Sequence, residues 1–273
     1  MNKSIRLADQ TKLLDKFQKS ILENNGRMRG EVLLTNPATG KAIFKKNKII
    51  LPGSILAATS LFDVESPVIT PSYNTALGLD NSVSTSQPEA PVKVCLFAVG
   101  TDGCGSESSQ VYDVDYTKWI KPEALVPFRY QAITNDLSDS ARQIYYGRKT
   151  IAESGFIAYY MKAFDQNPIF TIQYVDGTPV DNNIYTSSND TEVEAYVEVV
   201  FSITKEDCRD FFIETTGITT ANISSISLLS AWSKEVDGYK YYQDIRPVTK
   251  LNIPKEPLED LSKGLNIVYH IYF

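Results

Sequence analysis

The chain carries one histidine, His270, and three cysteines, Cys95, Cys104 and Cys208. A Ser-His-Asp or Cys-His device needs an imidazole within hydrogen-bond reach of its nucleophile, so any such device here has to be built around His270. That residue lies in LNIVYHIYF, flanked by Val268, Tyr269, Ile271 and Tyr272. It reads as a strand residue with no catalytic partner in view. One histidine cannot form a multi-histidine metal centre within a single chain, and the cysteines lack paired zinc-finger spacing. Three scattered cysteines do not make a disulfide framework either. Cys95, inside an apolar run, reads as a buried thiol.

Gly100, Gly103 and Gly105 follow an apolar strand, which is where a dinucleotide-binding loop would begin. The spacing is wrong for that motif, and SESSQVYDVDY does not read as the helix whose N-terminus would hold a pyrophosphate. A tight turn using positive φ is the expectation for these glycines. Asp113 with Asp115, and Glu192 with Glu194 and Glu198, put carboxylates two or four residues apart, on one face of a strand. Such pairs could do acid–base work, but alternation with Val and Tyr is also what a half-exposed strand shows. Asp176, Asp181, Asn182, Asn183 and Asp190 crowd one turn region with oxygen ligands of the kind calcium takes, without the spacing of an EF-hand loop. No catalytic residue, cofactor or metal ligand is assigned from these patterns.

The charge balance narrows the partners. With 27 basic and 33 acidic residues the net charge is −6, which lacks the basic footprint of phosphate-backbone binding. Lys45, Lys46 and Lys48 form a local basic patch that reads as a solvated strand edge. No apolar run approaches the ~20 residues of a membrane helix, and the first residues, MNKSIRLADQTK, contain no signal-peptide core. Synthesis in a cytoplasm, with neither membrane nor nucleic acid as partner, is the expectation.

Around these residues the elements favour strands. The 16 Tyr and 12 Phe, with many Val, Ile and Thr, suit pleated surfaces. Residues 1–64 read as an N-terminal helix over 5–24, a hairpin (GEVLLT, turn NPATG, KAIFKK) and a short helix capped by Ser54 and running to Phe62. Leu13, Phe17 and Ile21 form a single apolar stripe on the first helix, expected to dock as an assembly arm on a neighbouring subunit. Residues 65–91 read as a long polar loop, also expected to contact neighbours, since such a loop is unusual inside a compact domain. Residues 92–154 form a first β region, with strands over Val92–Val99, VYDVDY and LVPFRYQAI. Residues 155–273 form a C-terminal antiparallel β domain with one helix near 205–216. Its expected hairpins are GFIAYYMKAF with IFTIQYV, and the two strands flanking Asp237-Gly238. In EVEAYVEVVFSI, Val193, Ala195, Val197, Val199 and Phe201 point one way. Thr204 to Asp207 resembles a capping box opening a helix that Gly217 closes. The fold class expected is mainly β, with antiparallel, sandwich-like sheets and two or three short helices.

The stretches VYDVDYTKWIKPEALVPFRYQ, RQIYYGRK, FIAYYMKAFDQNP, DGYKYYQDIRPVTKLNIP and DLSKGLNIVYHIYF together resemble virion structural proteins of tailed bacteriophages. The resemblance runs from about Val92 onward. It implies a non-enzymatic subunit of the head, neck, tail or baseplate, located in the virion and present in many symmetric copies. Its partners would be copies of itself and other virion proteins, and it implies no catalytic residue. Two other classes fit the same composition. One is a receptor- or glycan-binding β-sandwich in which Trp119, Trp232 or Tyr239 forms a sugar platform. The other is a carboxylate-dependent hydrolase. A shallow aromatic groove would mark the binder, a deep pocket with paired acids the enzyme, and extensive flat interfaces the subunit.

Overall fold

A strand whose apolar residues alternate can bury one face only, so alternation and continuous apolar runs demand different neighbours. Both kinds are present. A computed structural model describes residues 29–49, 53, 56–57, 72–80, 92–105, 110–114, 124–174, 178, 180, 193–219, 221–257 and 264–272. In chain order the elements are β1 (Arg29–Asn36), β2 (Lys41–Ile49), α1 (Tyr73–Leu77), β3 (Lys93–Gly100), β4 (Leu125–Val126) and β5 (Arg129–Ala132). There follow β6 (Tyr145–Ile151), β7 (Phe156–Ala163), β8 (Ile169–Tyr174), β9 (Val193–Ile203) and α2 (Arg209–Thr216). The last are β10 (Asn222–Val236), β11 (Tyr239–Pro247), β12 (Thr249–Pro257) and β13 (Leu265–Tyr272). The chain is mainly β, with antiparallel sheets and short helices, as its composition requires.

The chain divides into two units, one of residues 1–47, 165–203 and 263–273, the other of residues 48–164 and 204–262. The first unit is an antiparallel sheet ordered β2-β1-β13-β9-β8. The β1–β2 hairpin closes through Asn36, whose Oδ1 accepts from the N–H groups of Ala38 and Thr39, and through Gly40 at φ 69°. Register brings Val32 against Tyr269 and Tyr269 against Val199, then Leu34 against Ile267 and Ile267 against Phe201. These residues form one buried face, which is the alternation expected of β9.

The second unit is organised on β10, a 15-residue strand buried along most of its length. One edge pairs with β3; the other pairs with β12 near its start and β11 towards its end. β11 and β12 thus act as one long strand folded back on β10 through Asp237 and Gly238, both at positive φ, as a two-residue hairpin turn requires. β7 continues the sheet, pairing with β6 along one edge and with β5 and β3 along the other. Leu96, Ala98, Met161, Leu229, Ala231 and Ile245 line one face of this sheet.

Several sequence expectations change here. The polar stretch 65–91 is not a structureless loop where it is described. Residues 72–80 hold α1, capped by the Ser72 side chain and by left-handed Gly78, and Tyr73, Leu77 and Leu79 enter the core beside Leu96 and Leu229. Three apolar residues among Ser, Thr, Asn and Pro are too few for periodicity to register, although Tyr73 is 0% exposed. β7 and β8 do not pair as a hairpin: β7 pairs with β6 across the turn at Gly155, β8 pairs with β9, and the two strands belong to different units. Apolar patterning identifies strands but not which of two neighbours they join. The boundary at 155 also shifts, because the strands of 155–273 are shared between the two units. VYDVDY supplies only an isolated bridge, Cys104 to Val111, among its described residues. Gly53, Leu56 and Ala57 are helical. The N-terminal helix with Leu13, Phe17 and Ile21, the Ser54 cap, Trp119 and the Asp176–Asp190 cluster lie outside the described residues.

Because Tyr73 fills the centre of the second unit, Tyr73→Ala should lower the unfolding free energy by about 3–5 kcal/mol, the range for removing a large buried aromatic. Ala76→Ser, on the exposed side of α1, should stay within about 0.5 kcal/mol. Urea unfolding of both variants checks the assignment of α1 to the core.

Candidate functional site

Buried ionisable groups are costly unless paired, so their clusters are where chemistry or cohesion must be sought. Two such clusters among the described residues of the second unit surround Asp207 and Asp136. In the first, Asp207 is 0% exposed. Its Oδ1 accepts from Tyr145 Oη at 2.9 Å and lies 3.3 Å from Arg129 Nη2. Its Oδ2 accepts from Lys162 Nζ at 2.9 Å and from the Thr204 N–H at 2.9 Å. Arg129 also donates to Tyr145 Oη and lies over that ring, 4.5 Å from its centre. β5, β6 and β7 each contribute one donor because Tyr145 pairs with Lys162 across the β6–β7 ladder. The carboxylate reaches them from a turn that the capping-box reading had assigned to a helix start. The Asp207 side chain does turn back onto the Thr204 N–H, but the helix begins only at Arg209. Between them Cys208 sits at φ 65°, with its N–H donated to Phe128 O at 2.9 Å and its thiol pushed far above the usual range by burial. A left-handed non-glycine residue of this kind costs about 1–3 kcal/mol, which the tethers on both sides must hold in place. Gly217 ends α2 as expected, its N–H bonded to Ile213 O.

The second cluster centres on Asp136. Its Oδ2 receives Arg142 Nη2 at 2.6 Å and Arg148 Nη2 at 3.1 Å, and its Oδ1 receives Tyr159 Oη at 2.5 Å. Burial pushes this carboxyl up, but the bonds from Tyr159 and Leu137 and the two guanidiniums outweigh it and hold it below its usual value. Burial and the Asp136 bond raise the Tyr159 hydroxyl to about 12. Arg148 reaches on to Asp80, whose Oδ2 also accepts from Thr150.

These arginines stand beside a cavity of about 220 Å³ between β6 and β11. Among the described residues neither strand pairs with the other; the α1 segment fills part of the gap. The Asn74 amide donates to Tyr242 O and accepts from the Ile245 N–H, and the Asp80 N–H donates to Arg148 O. Gly147, at φ 67°, interrupts the β6–β7 ladder without shifting its register, and a Cβ there would overlap the Met161 sulfur. Tyr146 and Tyr242 meet edge to face inside the cavity, with centres 4.6 Å apart at 89°.

The Gly100–Gly105 loop serves cohesion, for a different reason than expected. None of its glycines has positive φ. A Cβ on Gly103 would overlap the Ser224 carbonyl, one on Gly100 would crowd Ser225 Oγ at 2.7 Å, and one on Gly105 would crowd the Gln110 side chain at 2.5 Å. The requirement is close approach. It lets Asp102 accept from Ser225 Oγ at 2.7 Å and pair with Lys250.

In the first unit, His270 has the partner that the strand reading missed. Cross-strand register sets Glu31, His270 and Glu198 side by side on β1, β13 and β9, and His270 Nε2 lies 2.9 Å from Glu198 Oε2. Glu31 is 0% exposed. Tyr196 and Tyr272 pack on the ring, with centres 4.5 and 6.1 Å away. The three residues are far apart in sequence, so only the strand pairing could have revealed them. Glu194 pairs with Gln173 across β8–β9, and Glu192 and Asp115 lie outside the described residues. All three cysteines are free thiols; Cys95 is half-buried and burial pushes it up to about 12. Of the aromatic platform, Tyr239 lines the cavity, while Trp232 is half-buried on β10 opposite Gln243. Among the described residues there is no cluster of three His, Cys, Asp or Glu placed to hold a metal ion, and no helix long and apolar enough to cross a membrane.

No protein-family model, curated protein or solved structure matches the chain.

Burial lowers the His270 pKa from 6.5, and the Glu198 bond opposes this without overcoming it. A base with a depressed folded pKa binds its proton more readily when unfolded. Its contribution to stability is therefore complete above about 6.5, the unfolded value, and declines as pH falls through that value towards the folded one. Unfolding of the wild type should become easier between about pH 7 and pH 5.5, and His270→Gln should flatten that part of the profile. An equal slope in the variant would show that His270 does not carry it.

Proposed function

We propose that the chain is a non-catalytic structural subunit that works by assembling with protein partners, as virion proteins of tailed bacteriophages do. The resemblance of the segments from Val92 onward points to that class, and tyrosine in the quantity present suits interfaces, being rigid and amphipathic. The ion clusters around Asp207 and Asp136 hold elements of the second unit together. Asp207 joins three strands and a turn, and Asp136 joins two arginines and a tyrosine.

The observation that carries the proposal is the start of β8. Ile169 is 50% exposed and Phe170 49% exposed. Successive residues of a strand point to opposite faces, so apolar surface is exposed on both sides at this corner. β8 itself, IFTIQY, contains no charge and no proline, the usual guards against unwanted association of an outer strand. A half-exposed apolar strand end of this kind suits burial against another subunit.

Ile169→Glu combined with Phe170→Glu tests it. Burying a large apolar side chain contributes about 1.5–3 kcal/mol. Losing two such residues should raise the dissociation constant of the assembly by at least about 100-fold, at 1.4 kcal/mol for each factor of ten. Sedimentation velocity, with circular dichroism as the control for folding, reads this directly. Assembly at the wild-type concentration would show that this corner is no interface, and a wild type that stays monomeric alone and with its partners would overturn the structural reading.

A further inference from the structure

The cavity between β6 and β11 is not needed for assembly at β8, and its lining is selective. Cavities for drug-sized ligands run to about 300–1,000 Å³. At about 220 Å³ this one lies below that range, a size for a single ring-sized moiety. Three ligand classes are disfavoured by what the walls already hold. An added peptide strand would need open ladder groups on the facing strands, but at three positions these are bonded to the α1 segment, through Asn74 and the Asp80 N–H. A phosphate or carboxylate would need uncommitted cations, but Arg148 is held by Asp136 and Asp80, and Arg142 by Asp136, which leaves Lys240 alone among the lining cations. A wholly apolar ligand would strand the polar atoms of the rim.

What the cavity offers is aromatic surface with hydrogen-bonding atoms beside it. Tyr146 and Tyr242 stand at right angles, so that one presents a face where the other presents an edge. Asp80 uses Oδ2 for Arg148 and Thr150, which leaves Oδ1 as an acceptor. Arg142 lines the cavity, and its bond to Asp136 runs through Nη2, which leaves other guanidinium N–H groups to donate to a ligand oxygen. A ring with an apolar C–H face and hydroxyls around its rim matches this set: the C–H face packs on an aromatic ring, and hydroxyls both donate to a carboxylate and accept from a guanidinium.

We infer that the β6–β11 cleft binds one sugar ring, the terminal unit of a glycan, packed on Tyr146 and Tyr242, with Asp80 accepting from and Arg142 donating to its hydroxyls. This site is independent of whether the chain assembles. The probes are the methyl glycosides of glucose, galactose, N-acetylglucosamine and rhamnose, each at about 10 mM, ten times the ~1 mM constant of a weak site. Saturation-transfer NMR on the full chain should show transfer to the ring protons of at least one glycoside. Tyr242→Ala and Arg142→Gln should each weaken binding at least tenfold. Tyr242 packs against the core, so if its variant does not fold, Arg142→Gln decides; Asp136 keeps Arg148 and Tyr159 in that variant. The inference is overturned by no transfer to any of the four glycosides, or by binding unchanged in Arg142→Gln. It is equally overturned if a tyrosine-containing tetrapeptide saturates while the glycosides do not, which would make the cleft a peptide pocket.

Discussion

A carboxylate sealed from water must be answered by donors from whatever surrounds it, and Asp207 sets that condition for the second unit. Its donors come from β5, β6 and β7 and from the turn that precedes α2. An isolated buried charge would cost several kcal/mol, so the three strands and the turn are bound to one arrangement. Much follows from it. Cys208 is held in the left-handed region, α2 is directed back over β5, and Tyr130 meets Phe211 edge to face with centres 5.5 Å apart. Phe97 and Phe128 pack at 5.2 Å beside the same cluster.

The opposite face of that sheet is closed differently, and the cleft results from the difference. Tyr73, Leu77 and Leu79 plug the apolar side between β3, β7, β10 and β11. The plug occupies space where β6 and β11 would otherwise approach. Asn74 and the backbone of Asp80 then satisfy strand groups that a neighbouring strand would have satisfied. A side-chain amide spans less than a strand does, and the remaining gap is the tyrosine-lined cavity. β10 tolerates close neighbours because five of its serines, Ser224, Ser225, Ser227, Ser230 and Ser233, are small enough to be buried. The glycines at 100, 103 and 105 answer that approach from the other side.

Local patterning carried much of the fold into view. Alternation in β9, the apolar run of β3, the Asp237-Gly238 turn and the Gly217 stop are each decided within about ten residues, and each is present. What depends on pairing at a distance was not legible. The partner of β7 is chosen by competition among strands of both units, which no local pattern encodes. α1 escaped because its three apolar residues lie in a polar frame. The site residues divide in the same way. The lone histidine, the carboxylates of β9 and the glycine loop could be picked out by type. The Glu31–His270–Glu198 row, the donors of Asp207 and the Tyr146–Tyr242 pair are products of register and could not. Asp207 looked like a helix cap because its local bond to Thr204 is that of a cap, while its long-range bonds belong to another structure.

Cohesion is what the buried acid supplies. The most direct test is the urea unfolding of Asp207→Ala. Removing one partner from a buried ion cluster leaves Lys162 without its main counter-charge, so the variant should lose about 3–5 kcal/mol of stability. A loss below about 1 kcal/mol would contradict it, because Asp207 would then be a group that the fold tolerates and not the one that holds it.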